Sequence, residues 1–273
     1  MNKPSSPTPP IDGKVAAALI EPLTELVASA GTAILAIDRT AMRVDGKIDG
    51  SPVTQADLAA DRIIHDGLAR LAPAIEAFSE ERMRLTAPPY DNSFFLIDPL
   101  DGTREFVAGR SEFTVNLALI ENGVPLLGII GAPALGLIWR GIVGHGAERL
   151  AAGSDRGEPI RTRRFPPKGR PWIAAVSRSH GDPKTDEFIA AREGAVREVL
   201  GSSLKFVKVA EGAIDIYPRL APTHEWDIAA GCAIVAAAGG KVTDAAGGDL
   251  RFGSRAQDFV VPAFIAWGDP EIC

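Results

Sequence analysis

The sequence predicts a mixed protein of two halves, an α+β half followed by an α/β half. Three observations support this fold class. Two amphipathic segments come first and precede a run of β-prone segments separated by turn residues, a pattern typical of an antiparallel α+β unit. A stretch rich in Gly, Pro and Arg then covers residues 150–170. Strand-like and helix-like segments alternate after it, which favours a partly parallel α/β unit.

Two helices are predicted near the start of the chain, over residues 14–38 and 55–71, because apolar residues recur at steps of three and four in both. Residues 40–53 between them are polar and contain Gly and Pro, which indicates a loop or a loose hairpin. Thr54 and Asp57 have the T-x-x-D spacing of a capping box at the start of the second helix.

Five β-prone segments follow these helices, at residues 75–78, 94–97, 113–120, 126–131 and 137–143. Turn residues separate the last three segments, at Asn122-Gly123 and at residues 133–136. Short connections of this kind join antiparallel neighbours, so we predict a meander.

The division between the halves is placed inside the stretch rich in Gly, Pro and Arg. This gives a polar, disordered tail at residues 1–13, an N-terminal half at 14–152 and a C-terminal half at 153–273. The elements predicted in the C-terminal half are a strand at 172–176, a helix at 184–199, a strand at 204–209, a short helix near 210–214 and an Ala-rich helix at 228–238. Gly239-Gly240 is typical of a helix C-cap.

Composition and charge restrict the function classes. The net charge of −6 argues against a nucleic-acid polymer as partner but does not exclude a small phosphorylated ligand. Cys232 and Cys273 form no disulfide framework, which indicates a reducing compartment. The first residues lack the apolar core of a signal peptide, and no apolar run approaches the ~20 residues of a membrane helix. We therefore expect a cytoplasmic protein. The sequence leaves open whether it is a monomer or a homodimer.

Acidic residues stand at the ends of several predicted elements. Glu80 and Glu81 follow one strand, Asp98 and Asp101 follow another, Asp57 opens a helix and Asp227 precedes the Ala-rich helix. Carboxylates that meet at one sheet edge repel each other unless a cation lies between them. Oxygen ligands without His or Cys suit Mg²⁺, and such a site favours metal-assisted phosphate hydrolysis.

Each acid also has a purely structural interpretation. Asp98-Pro99-Leu100-Asp101-Gly102 has the composition of a turn. Asp57 fits the capping box, and Asp227 fits a helix N-cap. Adjacent glutamates are usually solvated, which applies to Glu80 and Glu81. The prediction of a metal site therefore depends on several acids at several element ends rather than on any one of them.

Three motifs resemble the inositol monophosphatase superfamily: "DPLDGTREF" at residues 98–106, "SEE" at 79–81 and "WDIAAG" at 226–231. Longer stretches at 46–57, 109–133, 177–180 and 201–227 resemble its CysQ-type 3′(2′),5′-bisphosphate nucleotidase branch. The resemblance implies a layered αβαβα sandwich of two halves with the site between them. It also implies a phosphatase that depends on Mg²⁺ and is sensitive to Li⁺.

The resemblance implies roles residue by residue. The metal ligands it implies are the carboxylates of Glu80, Asp98, Asp101 and Asp227 and the backbone carbonyl of Leu100. Asp57 and Thr103 resemble the pair that orients and deprotonates the attacking water. Gly102 and Thr103 stand where backbone N–H groups meet the transferred phosphate. Glu81 matches the second acid of the glutamate pair.

Substrate choice is assigned to the C-terminal half. The resemblance places Ser202, Ser203, Lys205 and Arg219 near the nucleotide, and Asp227 is a candidate substrate-binding residue as well as a metal ligand. Lys205 and Arg219 are candidates for the phosphate that is not cleaved, since Arg forks onto phosphate oxygens and Lys supplies a point charge. The alternative is that both are surface charges.

The remaining polar residues of these motifs receive weaker roles. Residues 177–180 are predicted to line the entrance of the substrate site, and no catalytic role is predicted for His180. Tyr217 accompanies Arg219 in "IYPR". His224 and Glu225 precede the "WD" motif, and the charge of Glu225 is expected to affect substrate or metal affinity.

Three functions are weighed. The first is hydrolysis of the 3′-phosphate of adenosine 3′,5′-bisphosphate, and of its sulfated relative, as a recycling step of sulfate assimilation. The second is hydrolysis of inositol-1-phosphate at the same metal site. The third is a Mg²⁺-dependent binding protein without turnover, which would need no water-activating pair.

Overall fold

The computed structural model describes residues 11–39, 44–46, 52–82, 92–164, 169–179, 181–253 and 258–273, and the statements below concern these residues. Residues 1–10 of the tail expected at residues 1–13 lie outside the described residues. Asp12, which was expected in that tail, is the N-cap of the first helix. Its carboxylate accepts the N–H groups of Lys14 and Val15 at 2.9 and 3.0 Å. The described chain therefore starts with a capped helix.

A seven-stranded sheet dominates the N-terminal half. Its strands are β3 (Glu76–Ser79), β4 (Ser93–Asp101), β5 (Thr114–Glu121), β6 (Val124–Ala132), β7 (Leu137–Ile142), β8 (Gly146–Ala151) and β9 (Glu158–Ile160), which are adjacent in chain order. β3 and β4 are parallel, and all other neighbours are antiparallel, so the predicted meander is confirmed. Asn122 and Gly123 both have positive φ, as the tight turn between β5 and β6 requires.

Two helices, α1 (Gly13–Leu35) and α2 (Gln55–Leu71), cover one face of this sheet. The strands β1 (Val44–Gly46) and β2 (Pro52–Thr54) form an antiparallel pair between them, in agreement with a loose hairpin. The alternation of strand β4 explains how the sheet is buried on both faces. Phe95 and Ile97 pack with α1 and α2. Phe94 and Leu96 point to the opposite face.

The opposite face is covered by α5 (Leu204–Ala210) and α6 (Glu225–Ala237), which also pack on a second sheet. That sheet has the order β11 (Val196–Leu200), β10 (Ile173–Ser177), β12 (Ile216–Arg219), β16 (Phe264–Trp267) and β14 (Lys241–Thr243). β10 is parallel to β11 and β12, and the remaining pairs are antiparallel. Helix α4 (Pro183–Ala190) packs on its outer face through Ile189, while the short helix α3 (Thr103–Val107) follows strand β4 of the first sheet. The layers are therefore αβαβα, as the family resemblance implied.

The layers approach each other closely where small residues face each other. A side chain on Gly128 of β6 would place its Cβ 2.2 Å from the carbonyl oxygen of Ala230 in α6. A small pair of strands, β13 (Thr223–His224) and β15 (Val260–Val261), leads into α6. The close approach of Gly128 to Ala230 fixes the position of α6 relative to the large sheet.

Three secondary-structure predictions in the C-terminal half are wrong. Residues 184–199 do not form one helix, because α4 ends at Ala190 and Val196–Leu200 is the edge strand β11. Gly194 has a φ of 72°, in the left-handed region, where the chain turns between the two elements. Residues 204–209 are helical rather than extended. Helix α5 ends at Ala210, so the separate short helix predicted near 210–214 is not present. Since α5 is enclosed between two sheets, nearly all its positions are buried and no amphipathic period shows in the sequence.

The expected boundary at residue 152 divides the seven-stranded sheet. β9 pairs with β8 in the antiparallel sense and belongs to the first sheet, although it lies beyond that residue. The helices α5 and α6 of the C-terminal half share one apolar cluster with strands of both sheets. The two halves are thus joined by a common core layer.

Helix α1 corrects the expectation that no apolar run has membrane-spanning length. By length and composition α1 is long and apolar enough to cross a membrane, with a mean hydropathy of 1.4. Its buried side, which includes Leu23, Val27 and Ile34, packs in the cluster formed with α2 and the large sheet. A helix that packs on a sheet can meet the same length and composition criteria, and α1 packs one face against α2 and the large sheet.

Candidate active site

Strand β4 ends in a bulge that presents two carboxylates. The pairing with β5 shifts between Asp98, opposite Asn116, and Asp101, opposite Thr114, so one extra residue is inserted. The Asp98 carboxylate accepts the N–H of Leu100 at 3.1 Å, which stabilises the bend. The sequence predicted that the strand ends at residue 97. The strand continues to Asp101 instead. The residues with turn-like composition, 98–102, form the bulge and the end of the strand.

Three carboxylates from distant segments converge beside this bulge. Glu80, Asp98 and Asp227 each offer an oxygen within 4.8 Å of the other two. Glu80 belongs to the 3₁₀ turn Glu80–Arg82 that follows β3. Burial, followed by the charges of Asp101 and Glu80, raises the pKa of Asp227 to about 6. The structure therefore brings together the acids that the sequence placed at separate element ends.

Asp227 is held by the start of α6. Asp227 was predicted to precede this helix, but it is the third residue of α6. Its carboxylate accepts the backbone N–H of His224 at 3.0 Å and the hydroxyl of Thr223. An acid at this helix position satisfies an otherwise unpaired N–H and benefits from the helix dipole.

The donor set of this cluster fits a hard divalent cation. It consists of carboxylate oxygens that are partly or fully buried, with Asp101 close enough to disfavour the charge of Asp227. Such a group of negative charges is unfavourable without a compensating cation. Oxygen-only ligands suit Mg²⁺, which prefers carboxylates and phosphate oxygens.

Asp57 and Thr103 form a hydrogen-bonded pair next to the bulge. Asp57 Oδ1 accepts the hydroxyl of Thr103 at 3.1 Å, and the carbonyl of Leu100 lies 3.0 Å from the same hydroxyl. The other oxygen, Oδ2, accepts the N–H and hydroxyl of Thr54 at 2.8 and 2.6 Å. Burial raises the pKa of Asp57, which is 2 % exposed. The capping box is present, and one carboxylate serves both the helix start and Thr103.

A polar network from both halves surrounds Asp101. Its Oδ2 accepts hydrogen bonds from Ser202 at 2.8 Å and Ser203 at 3.0 Å. Asn116 Nδ2 donates to Ser203 Oγ at 2.9 Å and lies 3.4 Å from Asp101 Oδ2. Thr114 Oγ1 is 2.5 Å from Ser202 Oγ. The two serines, which the resemblance placed near substrate, thus also fix a candidate metal ligand.

Two residues of this network, Thr114 and Asn116, were not predicted from the sequence. Both are buried on β5, at 0 % and 1 % exposure. A signal was available, because two polar residues separated by one position point to the same face of a strand that is otherwise apolar. Such a pair in a buried strand requires polar partners.

Lys205 is buried rather than a surface charge. It is 3 % exposed, and its ammonium donates to the carbonyl of Ser202 and lies 3.5 Å from that of Leu200. Burial lowers the pKa of Lys205 to about 8. Its Nζ is 5.2 Å from the centre of the Tyr217 ring. Burying a Lys ammonium is costly, so this placement suits an anionic ligand.

Arg219 lies on the same side of the site as Lys205. One of its guanidinium nitrogens, Nη2, donates to the carbonyl of Pro222 at 3.2 Å. Its Nε is buried and has no hydrogen-bond partner within the described part of the chain. The charge of Arg219 also contributes to lowering the pKa of Lys205.

Several other predicted residues have defined surroundings. Ser179 Oγ donates to Glu105 at 2.5 Å, and Arg178 forms two hydrogen bonds with Glu112 at 2.8 and 2.9 Å. The His224 ring stacks on Trp226, with their centroids 4.7 Å apart. His180 lies outside the described residues.

Glu225 is 1 % exposed, and its carboxylate accepts the N–H of Gly253 at 2.5 Å. It does not border the cavity described next. The carboxylate of Glu225 is therefore buried inside the protein. The expected effect of its charge on substrate or metal affinity stays a prediction.

Many of these groups border one cavity of about 990 Å³, which is lined by residues of both halves. The candidate metal ligands and Glu81 border it, as do Leu100, Gly102 and Thr103 of the bulge and Ser177, Ser179, Ser202, Ser203, Lys205, Tyr217 and Arg219 of the C-terminal half. Asp57 contacts the cavity wall through Thr103. The volume is sufficient for a ligand larger than a phosphate ion.

Comparison with known proteins identifies the class. Residues 16–268 match the model of the inositol monophosphatase family. The chain therefore belongs to the inositol monophosphatase family. The 3′(2′),5′-bisphosphate nucleotidases CysQ of Shigella flexneri and of Escherichia coli K12 are each 39 % identical over 254 residues, which cover 90 % of this chain and 98 % of each relative.

A solved structure agrees with these sequence relatives. The crystal structure of CysQ from Bacteroides thetaiotaomicron is similar with a TM-score of 0.74 and 32 % identity, and the match covers 90 % of this chain and 96 % of that one. An inositol monophosphatase from Thermotoga maritima is similar with a TM-score of 0.72 and 28 % identity, over 90 % of this chain and 91 % of that one. The fold and the recognition of the family from its motifs are confirmed.

Proposed function

We propose that this chain is a Mg²⁺-dependent phosphatase that removes the 3′-phosphate of adenosine 3′,5′-bisphosphate and of its sulfated relative. The observation that carries the proposal is one cavity that is bordered both by the clustered carboxylates of Glu80, Asp98 and Asp227 and by the buried ammonium of Lys205. The CysQ relatives, named as bisphosphate nucleotidases, support the same substrate class. Such an enzyme would recycle a by-product of sulfate assimilation.

The candidate metal site would hold the ion through the carboxylates of Glu80, Asp98, Asp101 and Asp227 and the carbonyl of Leu100. When bound, Mg²⁺ supplies charge neutralisation of the phosphate and lowers the pKa of water. Phosphoryl transfer depends mainly on positioning and on this charge neutralisation. The role of the protein groups is therefore to place the reacting phosphate and the attacking water in line.

Thr103 and Asp57 would orient that water. The Thr103 hydroxyl donates to Asp57, so its lone pairs remain available to accept a hydrogen bond from water. Asp57 is the group that finally holds the proton, and its raised pKa suits this role. The backbone N–H groups of Gly102 and Thr103 are proposed to contact the transferred phosphate.

Lys205 and Arg219 would contact the 5′-phosphate, which is not cleaved. Lys205 is a point charge beside the cavity, and Arg219 offers a planar group of donors. Ser202 and Ser203 would contribute at the same wall while they hold Asp101.

The test is release of inorganic phosphate from a substrate panel, with Mg²⁺ and with a chelator. The panel contains adenosine 3′,5′-bisphosphate, inositol-1-phosphate and fructose-1,6-bisphosphate. We expect Mg²⁺-dependent release, with the bisphosphate nucleotide preferred. No release from any ester would contradict the proposal in favour of a binding protein, and preference for inositol-1-phosphate would support the alternative inositol monophosphatase activity.

The substrate assignment is tested with Lys205→Ala. It should lose turnover of the bisphosphate nucleotide and keep turnover of inositol-1-phosphate. Lys208→Ala is the matched control, because Lys208 lies on the same helix and pairs with Glu211 at 2.8 Å outside the cavity. Equal loss on both substrates would reject the role of Lys205. Inhibition by Li⁺ is proposed as well, on family grounds.

A further inference from the structure

A second acid of helix α2 holds the turn that carries a candidate metal ligand. Asp61 is 4 % exposed and lies four residues after Asp57, on the same face of the helix. Its Oδ1 accepts the hydroxyl of Ser79 at 2.6 Å, and its Oδ2 accepts Arg82 Nε at 2.5 Å. Neither the family motifs nor the proposed mechanism assigns a role to this carboxylate.

The two hydrogen-bond partners of Asp61, Ser79 and Arg82, lie on either side of Glu80 in the chain. Ser79 is the residue before Glu80 and is 1 % exposed, while Arg82 ends the 3₁₀ turn that Glu80 begins. The Ser79 oxygen also accepts the N–H of Glu81 at 3.3 Å. A continuous chain of hydrogen bonds thus runs from α2 through both ends of the turn.

The need for such an anchor follows from the position of the turn. It follows β3, which is the edge strand of the seven-stranded sheet, and no residue of the turn itself is buried. A short turn at a sheet edge is positioned less tightly than a central strand, because one side of the strand has no ladder. Charge-assisted hydrogen bonds to a buried carboxylate supply that positioning.

The charge of Asp61 also determines where Arg82 lies. The guanidinium is close to Glu80 and Glu81 in sequence and could compete with a cation for their carboxylates. Asp61 instead binds Arg82 on the side of α2. The His65 ring, at 3.6 Å from Asp61 Oδ1, is the remaining polar neighbour described there.

We propose that Asp61 is a positioning residue for divalent-cation binding, which acts by fixing the Ser79–Arg82 turn and thereby the Glu80 carboxylate. This inference rests on the proposed function, since it requires a cation at Glu80. Partners of metal ligands commonly affect metal affinity by about 10- to 100-fold, and we expect an effect in that range for Asp61.

The experiment compares Asp61→Asn with Asp215→Asn in the full chain. Asp215 is a matched control because it is 3 % exposed and binds an arginine in the same way, with Arg163 Nε at 2.6 Å, but lies away from the cavity. Mn²⁺ alone is titrated and the free ion is measured by electron paramagnetic resonance. Both variants should lose thermal stability, whereas only Asp61→Asn should weaken Mn²⁺ binding, by roughly tenfold or more.

Turnover gives a second readout. The Mg²⁺ concentration for half-maximal activity should rise in Asp61→Asn, while kcat at saturating Mg²⁺ stays close to that of the unmodified chain. Ser79→Ala removes one arm of the anchor and should shift Mn²⁺ binding in the same direction by a smaller factor, which keeps the test valid if Asp61→Asn does not fold.

The outcomes separate this inference from the proposed function. An unmodified chain that binds Mn²⁺ and releases phosphate, together with unchanged Mn²⁺ affinity in Asp61→Asn and Ser79→Ala, would overturn the role of Asp61 alone. Equal weakening in Asp215→Asn would also overturn it, because the effect would then follow from stability. An unmodified chain that bound no Mn²⁺ would overturn both proposals.

Discussion

Thr103 and Asp57 are 46 residues apart in the chain, and the hydroxyl of Thr103 donates to Asp57 at 3.1 Å. The same carboxylate closes the capping box at the start of α2. The helix start therefore determines the orientation of the carboxylate that Thr103 contacts. Since two Thr54 bonds hold the other oxygen, the Asp57 side chain cannot rotate without loss of the cap.

The first prediction concerns Asp57→Asn. Asn keeps an oxygen that can accept hydrogen bonds but cannot take a proton, so kcat should fall by about 10²- to 10⁴-fold. Stability should fall by only about 0.5–2 kcal/mol, the range for weakened helix caps. Steady-state phosphate release and thermal unfolding measure the two effects.

Asp12→Ala is the control for that prediction. It removes the carboxylate that caps α1, far from the cavity, and should lower stability by a similar amount while kcat is retained. An Asp57→Asn protein with near-normal kcat would show that Asp57 only caps the helix.

The second prediction is a pH dependence set by Lys205. Burial lowers the pKa of its ammonium to about 8, so the group is mostly charged at neutral pH and loses its proton as pH rises through that value. The kcat/KM for the bisphosphate nucleotide should therefore decrease above about pH 8, since this ratio reports ionisation in the free enzyme. Inositol-1-phosphate, which lacks the second phosphate, should not show this decrease.

The Lys205→Ala protein provides the check on that assignment. Its kcat/KM for the bisphosphate should be low and should lack the decrease in this pH range. The assignment is rejected if the decrease persists unchanged in the variant.

The third prediction is that Asp227→Asn stabilises the metal-free protein while it abolishes turnover. The folded pKa of Asp227 is raised to about 6 from its ordinary 3.8, so charging this group opposes folding as pH rises through that interval. At pH 7 the variant should be more stable by about 1–3 kcal/mol, and its melting temperature should be a few degrees higher. Near pH 4 the difference should largely disappear, because the native carboxyl is then protonated in the folded chain.

The fourth prediction is that Mg²⁺ raises the melting temperature of the unmodified chain. A ligand that binds only the folded state stabilises it by about 2.7 kcal/mol at 100 times its dissociation constant. Asp227→Asn should show little of this stabilisation, because one ligand of the cluster has lost its charge. Differential scanning calorimetry with Mg²⁺ and with a chelator tests this, and equal stabilisation of both proteins would argue against a cation at Asp227.

The elements predicted correctly are those with a clear local period. Helix α2 was predicted at 55–71 and lies at Gln55–Leu71, because one face is buried and the other is solvated. The meander of β5, β6 and β7 was predicted from its turns. Helix α5 was mistaken for a strand, because burial on all sides removes the alternation that distinguishes a helix from a strand.

The sequence by itself determined the chemistry available to this protein. It showed carboxylates at element ends, a hydroxyl at Thr103 and a basic residue at Lys205, and its motifs identified the family. These properties depend on residue type and on neighbours within a few positions, so a short window of sequence contains them.

Only the tertiary structure decided which of these groups act together. It placed Glu80, Asp98 and Asp227 within 4.8 Å, buried Lys205, and turned Glu225 toward Gly253. It also disclosed the hydrogen bonds of Asp61 and Asn116, to which no role was assigned from the sequence. The physical reason is that such contacts join residues far apart in the chain, and their distances depend on strand register and on helix packing against two sheets rather than on local preference.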